Sequence, residues 1–219
     1  MLEDPERHLC GETGRFRPVR ENAVTHVAVV GRYFLKRYNR DRLGRLVKSF
    51  FRLVPAQRAF DMAVRLEQAG IDTPQVLAVA HRRAWGMLLG SYLITEYRPE
   101  AVTAFRWEGN HRRAARSLAG FVARLHDAGF FHRDLHLANL MLDSAENPLL
   151  IDLDGMRYLG RVSERKAWWE LARFSRNALK ARHISRSTRG HFLAEYCRLR
   201  RLGSWKDWWK RIERGPGLF

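Results

Sequence analysis

Along the first hundred residues, apolar positions alternate or gather in short runs. Beyond that they recur at three- and four-residue spacing. This change of period divides the chain into a strand-forming part and a helix-forming part. The first part predicts a short strand at 15–20 and a second at 24–30, where the residues are apolar and β-branched. A third strand is predicted at 33–38, after a Gly31-Arg32 turn, with Phe34 and Leu35 on opposite faces of the pleat. A basic segment, 39–54, precedes a helix that Pro55 suits in its first turn; Phe60, Ala63, Val64 and Leu66 form its apolar stripe and Gly70 stops it. Thr73-Pro74 opens an extended stretch at 75–80. The stretch 87–97 reads as one long strand or a strand pair, and Pro99 breaks the regular structure.

In the second part, Ala115, Leu118, Val122 and Leu125 predict a helix ended by Gly129. Two short apolar segments, 140–142 and 149–153, flank the turn 143–148 and predict a hairpin-like pair. Trp168, Leu171, Ala172 and Leu179 mark a further helix, and Phe192, Tyr196 and Leu199 another; no internal repeat is present. The expected class is α+β, with a β-rich part over 1–97 and a helical part over 98–219.

The chain has 219 residues, 46% of them hydrophobic, which excludes intrinsic disorder and suffices for a core without staples. Cys10 and Cys197 are its only cysteines, so a disulfide framework and a four-cysteine zinc site are excluded. No apolar run approaches about eighteen residues, and the acidic start MLEDPERHLC lacks the apolar core of a secretory signal. The expected compartment is cytosolic and reducing. Charge changes the picture further. Lys and Arg number 40 against 23 Asp and Glu, a net +17; residues 32–58 carry +8, residues 161–219 carry +11, and the rest sums to −2. Solvated helix faces usually mix signs, so this one-sidedness points to an anionic partner: phosphates, anionic lipid or nucleic acid.

The segment that carries chemistry is His132-Arg133-Asp134-Leu135-His136-Leu137-Ala138-Asn139, followed by Asp152 within Leu149-Leu150-Ile151-Asp152-Leu153-Asp154-Gly155. An H-R-D triplet, an Asn five residues after the Asp, a paired apolar segment and then an Asp ending it resemble the protein-kinase-like fold, with its H-R-D-x-x-x-x-N loop and D-F-G metal site. Taken without that chemistry, the same residues would be a cap, a turn residue and a strand-end acid; four concordant features argue against this. The resemblance implies that Asp134 orients the attacking hydroxyl and accepts its proton. It also implies that Asn139 and Asp152 supply oxygens to Mg2+ on the phosphates of ATP. Lys36, central in the 33–38 strand, stands where that fold keeps the lysine for the α- and β-phosphates. Ile94-Thr95-Glu96-Tyr97 stands at the hinge, where backbone groups of Glu96 and Tyr97 would hold the adenine edge. His132 reads as a structural residue. His136 either contacts the γ-phosphate or braces the loop, and Asp154 either touches a second metal or faces solvent.

Parts of the pattern are missing. No G-x-G-x-x-G precedes Lys36: Gly11 and Gly14 stand far upstream, and the 21–25 turn has no glycine. Asp61 and Glu67 both remain open as the helical acid for Lys36, and no A-P-E follows Gly155. A short chain lacking these parts is similar to the bacterial kinases of lipopolysaccharide core assembly, the Kdo/heptose kinase family. The stretches that carry this resemblance are Leu66-Glu67-Gln68-Ala69-Gly70-Ile71-Asp72-Thr73-Pro74, Phe131–His136, Ile151-Asp152-Leu153-Asp154 and Glu170-Leu171-Ala172-Arg173-Phe174-Ser175-Arg176. Ala59 departs from it, standing where relatives often carry the helix Glu. The family implies ATP-dependent phosphorylation of a sugar hydroxyl on an anionic glycolipid or phosphosugar, with peripheral contact at the cytosolic face of the inner membrane. Trp205-Lys206-Asp207-Trp208-Trp209-Lys210-Arg211 reads equally as an interfacial segment or as a packed terminal helix. The competing readings are a protein kinase or other small-molecule phosphotransferase of the same fold, and a pseudokinase binding module. No nucleic acid is expected, because no recognition motif accompanies the charge.

Overall fold

Strand pairing begins at Phe16 in the computed structural model, which describes residues 16–21, 25–38, 54–85, 87–181 and 183–214. The basic residues 39–53, both upstream glycines and the 22–24 connection therefore lie outside the described residues. The chain divides into two units: one takes in the residues up to Arg65 together with Pro74–Arg98, the other Leu66–Thr73 together with the residues from Pro99 onward.

The first unit is built on an antiparallel sheet. β1 (Phe16–Glu21), β2 (Thr25–Val30) and β3 (Tyr33–Tyr38) form a meander. The turn into β3 is made by Gly31 at φ +59°, a conformation that glycine adopts without strain. The helix α1 (Pro55–Gln68) follows, then β4 (Val76–Ala84) and β5 (Met87–Glu96), and the sheet order is β1-β2-β3-β5-β4. The stretch from 87 is thus one strand, and β4 runs four residues past the expected 75–80. Leu35 packs with Tyr92 and Ile94 on one face. Lys36 projects from the other, paired with Val27 and Leu93.

The buried edge of α1 differs from the expected stripe. Ala56, Ala59, Ala63 and Leu66 are buried, whereas Phe60 and Val64 are only half-buried. Small residues let the helix lie close, and the Ala56 N–H donates to Ser91 Oγ on β5 at 3.3 Å. Its end is closed where the Gly70 N–H donates to the Glu67 carbonyl and the Ile71 N–H to the Leu66 carbonyl, with Gly70 at φ +66°.

The second unit carries β6 (Val102–Thr103), α2 (His111–Asp127), β7 (Phe130–His132), β8 (Leu140–Leu142), β9 (Pro148–Leu150) and β10 (Met156–Tyr158). β6, β8 and β9 form one small sheet; β7 and β10 form another. Three helices complete it, α3 (Glu164–Ala178), α4 (Arg186–Leu199) and α5 (Trp205–Arg214). Asn110, Ser163 and Ser185 cap α2, α3 and α4 with side-chain oxygens that accept N–H groups of the first turn. α2 packs against α4, and α5 packs against α3 and α4.

Some expectations shift. Leu179 and Leu199 stand at helix ends and are 59% and 38% exposed, so neither anchors its helix. The second hairpin strand stops at Leu150, short of the expected 153. In α5, Trp208 and Ile212 are buried, and the Arg186 and Arg189 guanidinium groups lie 5.5 and 5.2 Å from the centre of the Trp209 ring. α5 is thus packed as a terminal helix.

Candidate active site

The 132–139 loop is held from within by its first residue. The His132 ring accepts the Asp134 backbone N–H at Nδ1, 3.1 Å, while its Nε2 lies 2.9 Å from the Asp152 carbonyl oxygen. An N–H only donates and a carbonyl only accepts, so the ring is the neutral tautomer with its proton on Nε2. One imidazole therefore pins the backbone of two residues eighteen positions apart, the structural role expected of it. The ring rests on Gly155, where a Cβ would sit 3.0 Å from Cε1. Asp152 does not end a strand: it lies two residues past β9 at φ +63°, leading into a 3-10 turn, Leu153–Gly155. The left-handed backbone turns the chain toward His132, and the Arg133 N–H donates back to the Gly155 carbonyl at 3.0 Å.

Asn139 is buried and donates Nδ2 to the Asp134 carbonyl at 3.1 Å. Because that carbonyl is an acceptor, the amide orientation is set and Oδ1 points away as an acceptor. The Asn139 carbonyl in turn receives the Ile151 N–H at 2.8 Å, which couples this loop to the segment carrying Asp152. The Asp134 carboxylate itself is 64% exposed, with Arg173 Nη2 3.4 Å from one oxygen and His136 Nε2 3.7 Å from the other. Arg173 is steadied by Trp169, 4.8 Å from its ring centre. Burial lowers the His136 pKa, the nearby Asp134 partly opposing this. The Nδ1 of His136 is buried without a hydrogen-bond partner. Asp154 is exposed on the 3-10 turn.

Behind the loop lies a buried polar chain. The His132 N–H donates to Glu170 Oε2 at 3.1 Å. Glu170 Oε1 faces His126 Nε2 at 3.2 Å, a close ion-pair distance though poorly aligned as a hydrogen bond. His126 Nδ1 meets the Tyr196 hydroxyl at 2.6 Å, and burial pushes that phenol far up, so it stays protonated and donates. Glu170, Arg173 and Asn177, whose Oδ1 lies 3.4 Å from the Leu137 N–H, recur at helical spacing on α3. That polar stripe is the signal by which they were readable, although the motif reading assigned them no role. His126, on α2, carried no such signal.

The second unit thus brings Asp134, His136, Asn139 and Asp152 onto one connected stretch of backbone. Lys36, Glu96 and Tyr97 belong to the first unit. Lys36 is buried to 9% exposure, its Nζ 5.0 Å from the Tyr38 ring centre. Glu96 pairs with Arg98 at 2.9 Å. The Glu96 N–H donates to the Gln75 carbonyl and the Tyr97 N–H to the Arg32 carbonyl, so both amide hydrogens are engaged within the unit. Asp61 accepts from Gln57 Nε2 at 2.9 Å, and Glu67 is exposed.

An antiparallel five-stranded sheet followed by a helical unit with this loop is the protein-kinase-like class of fold. Solved structures that share it include WaaP in complex with acyl carrier protein (TM-score 0.63, 23% identity, 98% of this chain and 96% of that one) and WbdD (0.54, 16%, 90% and 49%). The model of the lipopolysaccharide kinase (Kdo/WaaP) family matches residues 15–196, and the chain belongs to that family. The 3-deoxy-D-manno-octulosonic acid kinase of Vibrio vulnificus (strain YJ016) is 29% identical over 129 residues, 55% of this chain and 54% of that protein. The chain therefore spans about half the length of this curated relative.

Proposed function

We propose that this chain transfers the γ-phosphoryl group of ATP to a sugar hydroxyl of the lipopolysaccharide core or a related anionic glycolipid. The observation that carries the reading is the exposed Asp134 carboxylate, set on a loop whose backbone is tied to Asn139 and Asp152. Asp134 accepts the proton of the attacking hydroxyl and orients its oxygen. Its position is maintained by Arg173 on one side and His136 on the other. With its pKa lowered by burial, His136 offers a neutral N–H rather than a charge, whether to the γ-phosphate or to Asp134 itself.

Magnesium fits the donor set. Among the described residues no group of three or more His, Cys, Asp and Glu is arranged to hold an ion. A cation that arrives on nucleotide phosphates needs only one or two hard protein oxygens, and the Asp152 carboxylate and Asn139 Oδ1 are of that kind. Bound there, Mg2+ would neutralise charge on the phosphate oxygens. Lys36 is assigned to the α- and β-phosphates. Adenine is assigned to the Glu96-Tyr97 segment, through carbonyl groups and side chains rather than the two engaged N–H groups. The acceptor's own phosphates and acidic sugars suit the +11 carried by residues 161–219. Among the described residues no helix is long and apolar enough to cross a membrane, and the reading places the chain at the cytosolic face of the inner membrane by peripheral contact. A protein kinase or other phosphotransferase of this fold would use the same loop on a different hydroxyl, and a pseudokinase would bind ATP without turnover.

Calorimetric titration with Mg·ATP tests the division of labour. Asp152→Ala should weaken binding at least about tenfold, while Asp134→Asn should leave it nearly unchanged. Equal affinity in wild type and Asp152→Ala would refute the metal assignment.

A further inference from the structure

Six of the seven tryptophans are buried or half-buried; Trp85 alone is exposed, at 96%. Its surroundings are unusual in three ways. First, among the described residues β3 pairs with β5 as far as Tyr38 opposite Ser91. Among the described residues, the part of β5 before Ser91 pairs only with Arg82, Arg83 and Ala84 of β4. Among the described residues, Arg82–Gly90 is thus a two-stranded finger of roughly 14 Å. Second, Ala84 pairs with Met87, so a two-residue connection forms the tip, and Trp85 takes its first position at φ +51°. Such turns favour Asn, Asp or Gly; a bulky aromatic in the left-handed region is strained. Third, Arg82 and Arg83 are exposed beside the tip, while the returning strand reads Met87-Leu88-Leu89.

Trp85 thus adds no packing to the fold and stands in a turn position that disfavours it, so its use lies in something the finger touches. We propose that the β4–β5 finger is a membrane contact, Trp85 entering the interface of an anionic bilayer while Arg82 and Arg83 engage lipid phosphates. An indole settles at the headgroup boundary because its body is apolar and its N–H is polar. Arginines beside it add attraction to an anionic surface. A bilayer demands no shape complementarity, whereas one exposed indole on a two-residue turn with two arginines beside it offers a protein partner far less than the roughly 1,000 Å2 of a stable interface. The proposal rests on the reading above, since a kinase of glycolipids meets its acceptor at a bilayer.

The test is flotation of the full chain with vesicles of phosphatidylcholine alone or doped with phosphatidylglycerol. Neither vesicle carries ATP or acceptor, so the outcome is independent of phosphoryl transfer. Wild type should float with the anionic vesicles, and Trp85→Asn should bind about tenfold more weakly. The double variant Arg82→Ala, Arg83→Ala should lose a similar factor and show a weaker salt dependence than wild type. Asn suits the positive φ, so Trp85→Asn should raise the melting temperature, which separates lost contact from lost folding. Transfer to a water-soluble, delipidated acceptor should be unchanged in that variant. Equal flotation of wild type and Trp85→Asn would put the contact elsewhere and overturn the proposal. Wild type that stays with the soluble fraction at both compositions would overturn it too, leaving a protein as the finger's partner. Transfer that persists in either case would leave the kinase reading standing.

Discussion

His136 shows how burial sets chemistry at a single residue. Desolvation holds its pKa below the usual 6.5, so the folded chain takes up this proton at lower pH than the unfolded chain. The stability that comes from keeping the ring neutral is full above about 6.5 and is lost as the pH falls through the lower folded value. His136→Gln should therefore flatten the acid limb of thermal stability, as read from melting temperatures between neutral and acidic pH. An unchanged limb would mean that the ring titrates freely. Asp134, by contrast, acts on the reacting hydroxyl: Asp134→Asn should lower kcat about a thousandfold with little change in KM for ATP. The residues named from the sequence were readable because they lie on one local stretch whose spacing is itself the signal. The helical spacing of Arg173 and Glu170 was visible as well, but not their roles, because they reach the loop from 39 and 38 residues away and no local pattern encodes that distance.

Among the elements, α3 does most to hold the loop. Glu170 accepts the His132 N–H and faces His126 with almost no solvent, so removing its carboxylate leaves two buried polar groups without a partner. Glu170→Ala should cost about 3 kcal/mol in urea unfolding, and Glu170→Gln, which keeps an acceptor for the His132 N–H, clearly less. The turn after α2 is similarly exacting. Gly129 sits at φ +85°, and a Cβ there would lie 2.6 Å from the Gly160 carbonyl oxygen, so Gly129→Ala should lose at least about 2 kcal/mol. The long elements were legible from apolar period and from Pro and Gly punctuation: β3 matches its expected bounds, and Gly70 and Gly129 stop their helices. The three-residue strands β7 and β10 were not, being too short for a period to register. The buried edge of α1 departs from the apolar stripe because alanines, rather than the larger Phe60 and Val64, make its closest approach. β9 ends earlier than its apolar run, because Ile151 and Leu153 continue a pattern that the backbone at Asp152 interrupts.

Over the whole molecule, two units hold the parts assigned to one reaction: Lys36 and the Glu96-Tyr97 segment in the first, Asp134, Asn139 and Asp152 in the second. A ligand bound only by the folded chain stabilises it by mass action. Mg·ATP at a hundredfold excess over its Kd should add about 2.7 kcal/mol, and at the same concentration the rise in melting temperature should fall to about half or less in Asp152→Ala. Net charge +17 gives the same molecule an affinity for anionic acceptors that weakens with salt, a dependence visible in KM for the acceptor rather than in kcat. The most direct measurement is transfer of labelled phosphate from γ-labelled ATP, with magnesium, to purified lipopolysaccharide core, wild type against Asp134→Asn. The account predicts label in the glycolipid with wild type and almost none with the variant. Equal label from both enzymes would contradict the role of Asp134, and label in protein alone would contradict the glycolipid acceptor.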